Sequence, residues 1–502
     1  MKATVTVDPR RVIGSIDRRV YGQLLEHVGR AVYGGVYDPA SLLADENGLR
    51  SDVAALLREL APTVIRWPGG NFASGYHWRD GVGPAAERPA RHDLAWDTIE
   101  TNAFGTEEFL QLCRAVDAEP YLAVNASTGS IDEMLAWVEY CNAISEVPEA
   151  ALRRRGPHPE PHGVRLWGVG NENYGWWQHG HSTADEYGAL TREWAKLLRW
   201  TEPSAEVIAV GAPDPDWNWR VLMEATPFID FLSLHCYWPG RIGTSDHIAA
   251  TLAGPSASEQ QIVQAFGFAQ AARARAGVNH SVRIAVDEWG VWSKTMLAFA
   301  DPDGLSKLRR GGISARSNVD TAFEEAYDLK DAIAHASWMH VMWRQADKIG
   351  LATEAQMVNV LAPIHVDPDG AAFRHTVFWP LALGARLAGS VAIAAEAFTD
   401  ARVPAPGVEG GELPALDVAA TADPATGRLH LSLVNRSETE ALEVDLEGIG
   451  GAARVIVLHD DDPAAGNTVD HPDRVVPVES DRTLEGTIVL PPLSHTTIVT
   501  AR

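Results

Sequence analysis

Cysteine is scarce in this chain: Cys113, Cys141 and Cys236 are the whole supply. An odd number at wide spacing, with no CxxC, argues against a disulfide framework and against a zinc ribbon. Positive charge is also short, with 42 Lys and Arg against 67 Asp and Glu and a formal charge of −25. Binding to nucleic acid needs clustered Lys and Arg on phosphates, so no such partner is expected. No apolar run approaches a membrane span, and the start, MKATVTVDPR, lacks the apolar core of a signal peptide. The expectation is a soluble, cytoplasmic chain without a membrane partner. A phosphate-cradling GxxxxGK[ST], a convincing GxGxxG after a first strand, a serine-hydrolase elbow and an HExxH helix are missing as well.

Tryptophan, in contrast, is abundant, with 17 residues, many of them beside glycine or asparagine. Tryptophan is ordinary core material, but flat rings clustered near amides also suit the C–H faces of sugars. At 502 residues the chain is too long for one ordinary domain. From residue 20 to about 375 it alternates apolar strands with amphipathic helices. SDVAALLREL places Val53, Leu56, Leu57 and Leu60 on one helical face, with Ser51 as N-cap and Pro62 as stop. Thr106 caps the next helix, and Thr183 with Glu186 forms a capping box before a third. Eight strands can be read: VYGQLLEH, TVIRWPGGN, YLAVNAS, VRLWGVGNEN, VIAVGAP, FIDFLSLHCYW, RIAVDEWG and KIGLATEA. Continuously apolar strands alternating with helices predict a parallel sheet covered on both faces, and eight units predict a (β/α)8 barrel over residues 20–378. The excess length falls in loops near 73–100, 145–162, 239–260 and 293–320. Beyond residue 379 the texture changes. RLHLSLVN and ALEVDLEG alternate apolar with polar residues, predicting a C-terminal β-sandwich over 379–502, which strand TVTVD of residues 1–19 joins.

Active sites of such barrels lie at the C-terminal ends of the strands. Those ends carry Glu26 and His27, Arg66 and Asn71, Asn125, Asn171 and Glu172, His235 and Tyr237, Asp287 and Glu288, then Gln356 and Asn359. Carboxylates and amides pair with hydroxyl groups, and two glutamates on separate strands are the equipment for glycosidic cleavage. Either glutamate alone could be an ion-pair partner of an arginine, but both end apolar strands and both have tryptophans nearby. Strand alternation turns one of Asp287 and Glu288 away from the barrel mouth; Glu288 is taken as the inward one, partly on the family resemblance that follows. His27, His179, His181 and His235 are conceivable metal ligands, but they lack a ligand spacing, so no metal is expected. DPDG at 301–304 lacks the other ligands of a calcium loop, and the acidic run at 460–462 reads as a solvated turn.

Five segments in order, YGQLLEHVGRAVYGGVYD, VIRWPGGNFASGYHWRDGVGP, GNENYGWWQHG, VDEWGVW and AQMVNVLAPI, resemble family-51 glycoside hydrolases, the α-L-arabinofuranosidases. The resemblance runs from about residue 20 to 375 and implies a retaining hydrolase without metal or cofactor, acting on arabinofuranosyl-containing glycans from the non-reducing end. It implies that Glu172 is the acid/base and Glu288 the nucleophile, with Glu26, Arg66, Asn71, Asn171, Tyr237, Gln356 and Trp292 around the sugar. It further implies a homo-oligomer, often a hexamer. An ionised Glu288 is expected to raise the pKa of Glu172. Two departures from the family pattern flank the pair. Asn173-Tyr174-Gly175-Trp176-Trp177 stands for the usual Met-Asp-Gly-Pro-Trp, and Gly290 for Asn. A barrel glycosidase of other specificity, such as a β-xylosidase, endo-β-glucanase or galactofuranosidase, and a non-catalytic sugar-binding barrel are the alternatives.

Overall fold

The computed structural model describes residues 1–238, 247–292, 323–368 and 370–500. The expected loop at 293–320 with its DPDG run, and residues 239–246 of the loop before it, lie outside the described residues. Eight strands close into a parallel barrel: Gly22–Leu24, Val64–Trp67, Glu119–Val124, Leu166–Val169, Glu206–Ala209, Phe231–Trp238, Arg283–Val291 and Ile349–Ala355. All are segments read from the sequence. VIRW, LWGV and IGLATEA are buried at every position, as strands with both faces covered must be. Val64, Tyr121, Leu166, Ile208, Phe231, Ala285 and Leu351 form an apolar cluster contributed by seven of the strands. Gly22 belongs to this crowded ring, where a Cβ would come within 2.4 Å of Val64 Cγ1 and 2.5 Å of the Ala352 carbonyl oxygen.

The helices follow the apolar spacing, while two of the three expected caps move by one residue. Thr183 and Glu186 make the capping box at the start of Ala184–Thr201. Ser51 and Thr106 instead begin their helices, Ser51–Leu60 and Thr106–Val116. The Ser51 hydroxyl donates to the Leu43 carbonyl at 2.7 Å, and the Thr106 hydroxyl accepts the Trp137 indole N–H at 3.2 Å. Tertiary partners have taken the groups that local capping would have used.

The β-rich region after the barrel is a continuous nine-stranded sheet. Its spatial order is Val478–Leu484, Gly451–Leu458, Ser494–Thr500, Arg428–Asn435, Leu416–Asp423, Val391–Phe398, Lys2–Ser15, Leu442–Glu447 and Thr487–Leu490. Strands from both ends of this order share one apolar core, including Val5, Val444, Val455, Ile488 and Ile498. The sheet therefore curls over itself, which is how the expected sandwich is realised. The N-terminal strand sits inside it, antiparallel to Val391–Phe398 and parallel to Leu442–Glu447.

Helix Leu329–Arg344 joins the two parts. It is buried at 14 of its 16 positions, so it has almost no solvent face and is packed all round. At its C-terminal end Arg344 pairs with Asp417 at 2.8 Å and with Glu259 at 2.9 Å, and Arg436 reaches Asp417 at 2.8 Å. Beside them, His340 and His495 each lie 2.8 Å from the Ser432 hydroxyl, and His430 packs edge-on against the Trp343 ring. No helix among the described residues is long and apolar enough to cross a membrane.

Candidate active site

The barrel strand Leu166–Val169 ends in Gly170 (φ +88°), Asn171 and Glu172. Glu172 itself takes φ +45°, a left-handed conformation that L residues adopt at a cost and that reaims its side chain after the strand. Its Oε1 accepts from Tyr174 at 3.1 Å and pairs with His235 Nδ1 at 2.8 Å, and its Oε2 accepts from the Trp177 indole at 2.7 Å. Glu288 comes from Arg283–Val291, where the pairing register slips between Ala285 and Glu288. This bulge defeats strict alternation. Glu288 faces the mouth, but Asp287 also stays inside the barrel, bonded by the Tyr121 hydroxyl at 2.8 Å and by Ser233. Arg66 donates to Glu288 Oε1 at 2.7 Å and Tyr237 to Glu288 Oε2 at 2.8 Å.

The other expected residues assemble around this pair. Glu26 Oε1 accepts from the Phe72 amide and the Trp96 indole, both at 3.0 Å, while Gln356 donates to its Oε2 at 2.9 Å and accepts from its backbone at 2.8 Å. Arg66 donates its second nitrogen to Asn171 Oδ1 at 2.6 Å, and Asn171 in turn donates to Asn71 at 3.3 Å. Trp292 packs edge-on against Tyr237 at 5.1 Å. Glu26, Asn71, Glu172, Tyr237, Glu288, Trp292 and Gln356 line one pocket of about 230 Å³. The same pocket holds Trp96, Trp177 and Phe323, which the sequence reading did not single out as site residues. Trp96 arrives on a hairpin between Arg91–Asp93 and Thr98–Glu100, and no local pattern marks it as pocket-facing.

Other strand-end residues serve the scaffold. Asn125 ties down its own loop through the Ser127 and Thr128 amides, and Asn359 holds the Arg30 carbonyl and the Val366 amide. His27 is fixed between Glu100 at 2.8 Å and the Trp67 indole at 3.0 Å.

His235 is the member whose importance the sequence understated. It sits 2.8 Å from Glu172, 3.3 Å from Glu288 and 3.4 Å from Asp287. Burial works against its charge, but the surrounding carboxylates push its pKa up to about 10. Burial alone would raise Glu172. Hydrogen bonds from His235, Trp177 and Tyr174 and the His235 charge outweigh it and hold Glu172 below its ordinary value. This reverses the expected upward shift and moves the resting proton onto the imidazole. Glu26 goes the other way, up to about 7, through burial and the charge of Glu288. Glu172, His235 and Glu288 offer ligand atoms within 4.8 Å of one another, close enough to chelate an ion. Yet an imidazolium whose Nδ1–H is hydrogen-bonded to Glu172 has no lone pair to give at that atom and itself supplies the compensating charge.

Comparison with known proteins agrees with this geometry. Residues 56–241 match the α-L-arabinofuranosidase 1 domain and residues 287–494 the α-L-arabinofuranosidase C-terminal domain. The chain is 37% identical to α-L-arabinofuranosidase C of Emericella nidulans, over 98% of this chain and 96% of that one. It is 39% identical to the intracellular exo-α-(1→5)-L-arabinofuranosidase 1 of Bacillus subtilis, over 76% and 74% of the two chains. Among solved structures, the arabinose complex of the Thermotoga maritima α-L-arabinofuranosidase is 35% identical with a TM-score of 0.87, over 99% of this chain and all of that one. The family-51 enzyme AbfB of Bifidobacterium longum is 31% identical with a TM-score of 0.93, over 99% of both. With likeness on this scale along the whole chain, and a closed parallel barrel carrying two glutamates at its mouth, the protein belongs to the α-L-arabinofuranosidases, family 51 of the glycoside hydrolases.

Proposed function

We propose that the protein is a retaining, exo-acting α-L-arabinofuranosidase in which Glu288 is the nucleophile and Glu172 the acid/base. The observation that carries this is the proximity of the two carboxylates, each with an oxygen within 4.8 Å of the other, across a pocket at the barrel mouth. Retention needs carboxyl groups ~5–5.5 Å apart, whereas inversion needs ~6.5–9.5 Å to admit a water between them.

Glu288, steered by Arg66 and Tyr237, attacks the anomeric carbon. The leaving oxygen takes a proton from Glu172. That proton is the one Glu172 and His235 share across 2.8 Å. On Glu172 it leaves a neutral imidazole and a carboxylic acid, the form that can protonate the glycosidic oxygen. Once Glu288 is esterified, Glu172 is a carboxylate and draws a proton from the incoming water, which cleaves the ester and restores Glu288. Glu288 sets a negative charge beside the ring in the pocket, which favours a cationic, oxocarbenium-like transition state. Asn171, held by Arg66 beside Glu172, is the residue assigned to the sugar hydroxyl next to the anomeric carbon.

A pocket of about 230 Å³ suits one sugar ring better than a chain, and supports release of terminal arabinofuranose. The intracellular relative of Bacillus subtilis supports work on imported oligosaccharides in the cytoplasm. Assembly as a homo-oligomer is proposed on family membership alone.

Glu172→Gln and Glu288→Gln should each lower kcat on aryl arabinofuranoside by about 10³-fold or more. Azide should rescue Glu172→Ala on a substrate with a good leaving group, giving the α-arabinofuranosyl azide by double inversion, whereas any azide product of Glu288→Ala should be the β anomer. Full activity in either Gln variant would overturn the roles. Turnover of aryl β-xyloside or β-glucoside far above aryl arabinofuranoside would overturn the substrate.

A further inference from the structure

We propose that Trp176 forms the wall of a subsite for the sugar that leaves, one ring outward from Glu172. The inference rests on the assignment of Glu172 as the group that protonates the leaving oxygen, because that assignment fixes the side on which the second sugar emerges.

Two contacts lead outward in sequence. Trp177 lines the pocket and donates its indole N–H to Glu172 Oε2 at 2.7 Å. Trp176 meets Trp177 edge to face, with ring centroids 5.8 Å apart and planes at 84°. Beyond Trp177, Trp176 keeps 47% of its surface in solvent. Among the described residues only Trp200 is another tryptophan this exposed, and it lies on the outer side of helix Ala184–Thr201 with the Lys196 ammonium over its ring at 5.7 Å. Trp176 stands instead on the loop that carries the acid/base.

That loop is built to hold its shape. The Gly175 amide donates to the Glu172 carbonyl at 2.7 Å, the Gln178 amide to the Gly175 carbonyl at 3.0 Å, and the Ser182 amide to the Asn173 carbonyl at 2.9 Å. The Gln178 side chain is bonded to Ser74 on the neighbouring loop. Residue 175 has to be glycine, because a Cβ would stand 2.5 Å from Trp177 Cε2. A rigid turn therefore presents a large apolar ring to water beside the acid/base. Water is a poor partner for that ring, and the C–H face of a pentose or hexose is a good one. The acidic chain disfavours the other flat ligand an exposed indole could stack on, a nucleobase on its phosphate backbone. The neutral sugar on the far side of the scissile bond is the occupant the position selects. Trp176 also falls within the segment where the chain departs from the common family pattern, so this subsite is a property of the chain rather than of the barrel.

The test compares two substrates that differ only in the leaving group. α-L-Arabinofuranosyl fluoride loses no ring, whereas an α-1,5-linked arabinofuranosyl disaccharide loses a sugar. In Trp176→Ala, kcat/KM on the disaccharide should fall about 10-fold further than on the fluoride, with the loss in KM. Trp176→Tyr, which keeps a flat ring, should recover most of it. Equal loss on both substrates, no loss on either, or a change of oligomeric size on gel filtration with unchanged selectivity would overturn the subsite. A wild-type enzyme that cleaves neither substrate would instead overturn the arabinofuranosidase reading, and this shows before any Trp176 variant is made.

Discussion

His235 is set among three carboxylates, and its charge state governs the pair it bridges. With its pKa pushed up to about 10, the imidazole is protonated at neutral pH. Its contribution to stability is full below the ordinary histidine value and fades as pH rises through 10. The same shift stocks the site with a proton that Glu172 can borrow. His235→Gln should therefore lower kcat by about 10²-fold. It should also bring the alkaline limb of the kcat/KM profile down by at least about one pH unit, because Glu172 would then have to hold the proton unaided. An unmoved limb in a folded variant would mean that His235 only packs the site. Glu172 and Glu288 were legible in the sequence because each closes an apolar strand, and strand ends of a barrel converge. His235 closes a strand too, but residue type alone did not say whether it would bind metal, pack or carry charge. That depends on Asp287, which alternation assigns away from the mouth and a bulge keeps inside the barrel.

Among the elements, helix Leu329–Arg344 sets how the molecule responds to acid. His340 on this helix and His430 and His495 on the facing strands are all buried, and burial lowers all three, His430 and His495 to about 3. Facing them are Asp417 with Arg344 and Arg436, an anion already claimed by two cations. A histidine kept neutral by the fold stabilises it above the ordinary value of about 6.5, and that contribution is lost as pH falls toward 3. At pH 5 the loss is about 2 kcal/mol for each of His430 and His495, taking 1.36 kcal/mol per unit. Thermal unfolding should thus show Tm dropping between pH 7 and pH 5. The double variant His430→Gln, His495→Gln should have a lower Tm at pH 7 and a flatter slope. Parallel slopes for variant and parent would place the acid sensitivity elsewhere. The barrel strands and helices could be read from periodicity because their apolar positions repeat locally. The caps at Ser51 and Thr106 could not, because Leu43 and Trp137 compete for those hydroxyls from elsewhere in the chain. Trp96 was invisible for a similar reason: its place in the pocket is set by a hairpin that folds back onto Glu26.

For the molecule as a whole, the N-terminal strand ties the beginning of the chain to its end. Residues 4–8 and 12–15 pair with Val391–Phe398, residues 2–6 pair with Leu442–Glu447, and the terminal amine donates to the Ala441 carbonyl at 2.9 Å. During synthesis this strand waits for partners that follow 376 residues later (391 − 15), roughly 20–75 s at 5–20 residues per second. The barrel can close in that interval, but the sheet cannot. The strand therefore waits, tethered at the far side of a completed barrel, for the sheet that receives it. Removing residues 2–15 should leave an unpaired gap in mid-sheet and a chain that aggregates on expression. Moving them behind residue 500 on a flexible linker long enough to reach the slot should restore soluble protein and shorten the refolding time, because the strand would then arrive together with its neighbours. Unchanged solubility on deletion would show that the slot does not need filling.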